Sequence, residues 1–255
     1  VRLWAFVAAL VALPALASSP FQDGDHLVFL GDSNTEWGSY HTFIGDTLGA
    51  RYPETRVQIV NEGLGGDTLF SGYYWRFGAV FARRPEVVFI LFGLNDFYWG
   101  NDRGAGARQA FLDHAGATVA WALMSGVREV YFVSYPVTDL PLERRHEEQF
   151  QFLPEITDTD DSFLQRRCDE AMFLAERTCV EGRCGRALDI QRPMRRVLER
   201  LRANPLTASL RMHHPDGGHL NAFGNEVVGA LLLEALGERD ALEPVLERAT
   251  SPMGP

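Results

Sequence analysis

Residues 87–96 read VVFILFGLND. Six apolar residues follow one another without alternation, and the run stops at Gly93. A strand with one face in water alternates apolar and polar positions, whereas one covered on both faces does not. The stretch therefore predicts a strand inside a parallel sheet. Outward from it the pattern repeats. HLVFL (26–30), VQIV (57–60), VYFVSY (130–135) and ALDI (187–190) read as further strands. Helix-like stretches separate them: 38–51, from the Gly-rich turn NEGLGGDT (61–68) to Arg84, 105–126 and 192–202, with a last one from near Asn221 to about Leu236. Strict alternation of strand and helix makes one doubly wound α/β domain over 18–255, a parallel sheet of about five strands with helices on both faces. Tyr73, Tyr74 and Trp75 are expected to pack their helix against that sheet. The least regular segment, 138–162, is polar, acidic and long for a connection, which suggests a surface excursion or lid. Residues 237–255 read as a short helix or a frayed tail.

The chain has 255 residues, 46% apolar and 23% charged, an ordinary globular composition with length for a sizeable core. Its net charge of -10 argues against nucleic acid or an anionic membrane as partner. All 24 basic residues are arginine. The lack of lysine excludes Schiff-base chemistry, a Ser-Lys dyad and a lysine-bearing phosphate loop. Residues 1–17 begin with one arginine, run through a short apolar stretch broken by Pro14 and end on Ala15-Leu16-Ala17. This describes a secretory signal peptide cleaved after Ala17, too short for a membrane span, and hence a secreted or periplasmic protein. In an oxidising compartment Cys179 and Cys184, which flank VEGR, are the first choice for a disulfide, leaving Cys168 over. The spacing makes a poor zinc site. The acidic run Asp158 to Asp161 lacks an ordered ligand loop and reads as solvated surface.

In an open parallel sheet ligands bind beyond the carboxyl ends of the strands. Four clusters fall there: Gly31 to Thr35, Asn61 to Thr68, Gly93 to Asp96, and Asp216 to His219. Their types suit attack on an acyl carbon. Ser33 offers a hydroxyl at a turn, and His219 is a base of the right strength. Asp216, three residues before it, can hold the other imidazole nitrogen. The N–H groups of Ser33 and of a glycine in the Gly65-Gly66 turn, with the Asn95 amide, can serve as oxyanion donors.

GDSNT, NEGLGGDT, GLND and DGGH, in that order, resemble the four blocks of the GDSL-type, or SGNH, hydrolases, a family of esterases and lipases. The likeness spans residues 26 to about 236. It implies a flavodoxin-like three-layer α/β/α sandwich, with Ser33 as nucleophile, Gly66 and Asn95 completing the oxyanion hole, and Asp216 and His219 as acid and base. It implies no metal or organic cofactor. The first block has Asn34 where the name-giving motif has leucine, a departure expected to matter little. Phe97, Tyr98 and Trp99 follow shortly after Asn95, and some of them are expected to form a platform for an acyl chain or a sugar ring.

Plainer readings stand beside these. Ser33 alone could be a helix N-cap. Asp32 reads as a turn residue or cap supporting it, and Asp96 as structural. His213 and His214 rival His219, but neither has an aspartate three positions before it. The expected protein is a secreted, monomeric serine esterase acting on small-molecule, carbohydrate or lipid esters. An acyltransferase using the same site is an alternative. So is a non-catalytic module gripping an anion with the Gly65-Gly66 loop.

Overall fold

The computed structural model describes residues 18–99, 105–138 and 162–251. The expected signal peptide and nearly all of the 138–162 segment lie outside them. The first half contains β1 (His26–Gly31), α1 (Ser33–Glu36), α2 (Tyr40–Arg51), β2 (Gln58–Gly63), α3 (Leu69–Trp75), α4 (Phe77–Phe81) and β3 (Val87–Leu91). A one-turn π-helical segment, Asn95–Trp99, follows β3. Then come α5 (Ala105–Met124), β4 (Glu129–Val133), α6 (Ser162–Arg177), β5 (Cys179–Val180), β6 (Arg183–Cys184), β7 (Arg186–Leu188), α7 (Gln191–Ala203), α8 (Ala222–Ala235) and α9 (Glu243–Thr250). The main sheet has five strands in the order β2-β1-β3-β4-β7, all parallel.

The parity of each strand explains the layers. Phe29, Phe89 and Tyr131 stand in register on β1, β3 and β4, and their rings stack at 4.6 and 5.0 Å. Tyr40 of α2 meets the Phe29 ring edge-on at 5.7 Å, so this face carries α2. Side chains one residue on point the other way. Phe132 accordingly meets Phe111 of α5. Helices therefore cover both faces, and β3 is buried throughout, as its unbroken apolar run requires.

Register also sets where the strands end. Gly31 pairs with Gly63 of β2 and with Leu91 of β3, so three strands finish side by side. α1 crosses this edge closely. A Cβ on Gly63 would lie 2.2 Å from the backbone nitrogen of Glu36, which leaves room only for glycine.

Several expectations are corrected. The aromatic helix is two helices, broken at Arg76 (φ -128°, ψ -45°). Its inward positions are Leu69 and Gly72, and helical periodicity turns Tyr74 and Trp75 out to solvent. Tyr73 packs on Trp121 of α5 instead of on the sheet. α6, unremarked in the sequence, buries Leu164, Cys168, Ala171 and Ala175 on one stripe. Of the two readings of the C-terminal segment the structure has the short helix, with Val245 and Leu246 buried. Cys179 and Cys184 are disulfide-bonded across the β5–β6 hairpin, and Cys168 is buried and free. No helix among the described residues is long and apolar enough to cross a membrane.

Candidate active site

Beyond Gly31 the chain turns at Asp32, whose carboxylate caps α1 by accepting the Asn34 N–H at 3.0 Å. The cap is thus Asp32, and Ser33 is the first helical residue, its hydroxyl free for another partner. That partner arrives from the far end of the chain. His213 and Leu220 pair as an isolated bridge, and the His214 N–H donates to the His219 carbonyl at 2.8 Å. Between these ties the chain makes a tight turn through Gly217 (φ 72°). One oxygen of Asp216 accepts the N–H groups of Gly218 and His219, each at 2.9 Å. Its other oxygen lies 2.7 Å from His219 Nδ1, and His219 Nε2 lies 2.8 Å from Ser33 Oγ.

A carboxylate only accepts, so Nδ1 carries the imidazole proton and Nε2 is left to accept from the serine hydroxyl. Burial pushes the Asp216 carboxyl up, but the N–H and ring of His219 and the N–H of Gly218 outweigh it and hold it below its ordinary 3.8. Asp216 is therefore ionised at neutral pH. His213 is buried with Nε2 against the Val137 carbonyl at 2.7 Å, and His214 is exposed and contributes its backbone to the turn. Neither rival shares the serine.

The second and third clusters meet across the sheet edge. Gly66 has φ 75°, in the left-handed region that favours glycine. Its N–H and that of Ser33 meet no acceptor among the described residues. Asn95 is buried at the start of the π-helical turn and donates one Nδ2 hydrogen to the Asp67 carbonyl at 2.9 Å, which ties the third cluster to the second. Asp67 itself pairs with Arg76 at 2.5 Å.

The aromatic platform needs correction. Phe97 is 4% exposed and packs edge-on against Phe111 at 4.8 Å, so it belongs to the core. The side chains of Tyr98 and Trp99 lie outside the described residues. Among the described residues the aromatic against His219 is Trp37, which sequence reasoning passed over. It is 69% exposed, with its ring centroid 5.3 Å from that of His219. Nothing local marks it. It reaches the imidazole only because α1 and the loop before α8 converge.

Asn34 was also undervalued. It is 3% exposed, and its side chain bonds the turn on both sides of His219, donating to the Gly218 carbonyl at 2.9 Å and accepting the Leu220 N–H at 2.9 Å.

Residues 29–172 match the family described as GDSL-like Lipase/Acylhydrolase. An acetylxylan esterase of Geobacillus stearothermophilus is 30% identical over 90 residues, which cover 29% of this chain and 41% of that protein, less than half of its length. Among solved structures, LAE5, an alpha/beta hydrolase enzyme from the metagenome of Lake Arreo, Spain, superposes with a TM-score of 0.64 at 22% identity, over 86% of this chain and 98% of its own. Axe2, an acetylxylan esterase from Geobacillus stearothermophilus, gives 0.60 at 20% identity, over 86% and 97%. Both likenesses are ones of fold. The family match stops short of Asp216 and His219, and the tertiary structure brings that last block onto Ser33. With more than half of its residues inside the match, the chain belongs to the GDSL-like lipase/acylhydrolase family, a family of carboxylic ester hydrolases.

Proposed function

We propose that the protein is an exported serine esterase that removes acetyl or other short acyl groups from carbohydrate through an acyl-enzyme on Ser33. The observation that carries the mechanism is the hydrogen-bonded chain from Ser33 Oγ through His219 to Asp216. Ser33 Oγ attacks the ester carbonyl as its proton passes to His219 Nε2, and Asp216 stabilises the imidazolium. The N–H groups of Ser33 and Gly66 and the second Nδ2 hydrogen of Asn95 receive the oxyanion. When the tetrahedral intermediate collapses, the bond to the alcohol oxygen breaks and Nε2 returns the proton to it. Water then attacks the acyl-serine, gives its proton to Nε2, and releases the acid while Ser33 recovers its hydroxyl.

The side chains of His219 and Asp216 are 34% and 43% exposed, so water reaches the base, which favours hydrolysis over acyl transfer. The name of the acetylxylan esterase relative supports a carbohydrate ester as substrate. The exposed face of Trp37 supports it too, because a flat aromatic beside the leaving-alcohol side suits a sugar ring. Export rests on the composition of residues 1–17 and agrees with the Cys179–Cys184 disulfide, a bond that persists in oxidising compartments.

The test is hydrolysis of p-nitrophenyl esters of increasing chain length, and acetate release from acetylated xylan, by wild type beside Ser33→Ala. The expected outcome is preference for acetyl esters and a loss of kcat of about 10⁴-fold or more in the variant. Equal activity in the two proteins would overturn the serine mechanism. Binding of an anion without turnover would favour the non-catalytic module.

A further inference from the structure

The family's name-giving block has leucine where this chain has Asn34, and the buried contacts of that side chain use both of its Nδ2 hydrogens and its carbonyl oxygen. Its Oδ1 accepts the Leu220 N–H at 2.9 Å, and Nδ2 donates to the Gly218 carbonyl at 2.9 Å. The amide thus pairs with the backbone on both sides of His219 as a strand would. The remaining Nδ2 hydrogen goes to Tyr135 Oη at 2.6 Å, and Tyr135 Oη in turn donates to Asp32 Oδ1 at 3.2 Å. Asp32 Oδ1 closes the circuit by accepting the Asn34 N–H. The amide orientation follows from these partners: the carbonyl of Gly218 demands a donor and the N–H of Leu220 an acceptor. Asn34 is covalently next to Ser33, so one side chain connects the nucleophile's own turn to the two residues that flank the base.

We infer that Asn34 is a positioning residue that sets the Ser33–His219 distance by clamping Gly218 and Leu220 to the nucleophile turn. The proposal rests on the reading of Ser33 and His219 as the reacting pair. The loop that carries His219 has internal ties, through Asp216 and the His213–Leu220 bridge, and outward ties, from His213 to the Val137 carbonyl and from the Leu220 carbonyl through Asn225 to the Ser39 N–H. Asn34 differs from these in joining the loop to the residue next to Ser33, on both sides of His219. A leucine in this position fills a similar volume and makes neither bond. A displacement of about 1 Å between reacting groups costs on the order of 10²-fold in rate.

The experiment compares wild type, Ser33→Ala, Asn34→Leu and Asn34→Asp on p-nitrophenyl acetate. Alongside the kinetics, proton NMR follows the downfield signal of the His219 Nδ1–H held by Asp216, and near-UV circular dichroism checks folding. For folded Asn34→Leu the expectation is a loss of kcat of about 10²-fold with KM within about twofold, and broadening or loss of the downfield proton. Ser33→Ala is expected to keep that proton, because its clamp is intact. Asn34→Asp keeps the acceptor for Leu220 but presents an oxygen to the Gly218 carbonyl, so it is expected to lose kcat as well, and it serves as the reporter if Asn34→Leu does not fold. A folded Asn34→Leu or Asn34→Asp with kcat within about threefold of wild type and the downfield proton in place would overturn the proposal. If Ser33→Ala is as active as wild type, the serine mechanism fails instead, and the two failures are told apart.

Discussion

Asp96 carries a carboxyl that is closed off from solvent although the residue as a whole is half-buried. Its Oδ1 accepts the Leu69 N–H at 2.9 Å, and its Oδ2 has no donor among the described residues. Burial pushes it up, the Leu69 N–H pulls against that, and the charges of Asp32 and Asp67 add to the rise, so that it moves from its ordinary 3.8 to about 8. Asp32 is displaced in the same direction, to about 6, chiefly by burial. For a carboxyl raised in the folded state the native protein holds a proton that the unfolded chain releases. Its contribution to stability is therefore present at low pH and is lost as pH rises from about 4 towards 8. Urea unfolding at pH 5 and pH 8.5 is expected to show wild type losing stability across that interval. Asp96→Asn, neutral throughout, is expected to lose less. An unchanged pH dependence in the variant would mean that Asp96 is ionised in the fold. Nothing in the tetrapeptide GLND marks this carboxyl as different from any turn aspartate, because its burial comes from α3 arriving over it.

The Gly65-Gly66 turn owes its shape to elements on both sides of it. Thr68 caps α3, accepting the Ser71 N–H at 3.1 Å while its own N–H donates to Ser71 Oγ at 3.0 Å. This reciprocal pair starts the helix directly after Gly66-Asp67. Arg76, at the break between α3 and α4, returns to Asp67, whose side chain is nearly closed off from solvent. Removing one member of such a pair strands the other charge, at about 3 kcal/mol or more. Arg76→Ala is therefore expected to lower stability by about that amount, read by urea unfolding, and to reduce kcat more than KM, since Asp67 directly follows Gly66, the proposed oxyanion donor. Asp67→Asn added to Arg76→Ala is expected to restore part of the stability. A variant with unchanged stability would show that the ion pair is not formed. The motif NEGLGGDT made the turn legible, but its arginine partner, nine residues on, carried no signal because the helix break that aims it was not visible in the aromatic run.

Across the whole molecule, the one disulfide closes a short hairpin that is a two-stranded sheet of its own, separate from the five-stranded sheet whose edge carries Ser33. Chain-entropy arithmetic for so small a loop gives about 2 kcal/mol. Cys179→Ser with Cys184→Ser is expected to lower stability by up to that amount while leaving kcat and KM for p-nitrophenyl acetate within about twofold; a large loss of activity would mean that the hairpin supports the site. The layered α/β architecture was legible because strand runs such as VVFILF cannot be explained by a half-wet sheet, and the strand order places three chain turns on one edge. The meeting of Ser33, Asp216 and His219, and of Asn95 with the turn that holds Gly66, was legible because short polar blocks stand at the ends of those runs. Periodicity within each segment is a local property, and the sequence by itself determined that much. What the tertiary structure decided is everything that depends on which segments meet. It turned Trp75 outward, buried Phe97, set Trp37 against His219 and closed Asn34 over the catalytic turn. Asn34 and its partners Gly218 and Leu220 stand more than 180 residues apart, and no local pattern encodes a hydrogen bond formed across that distance.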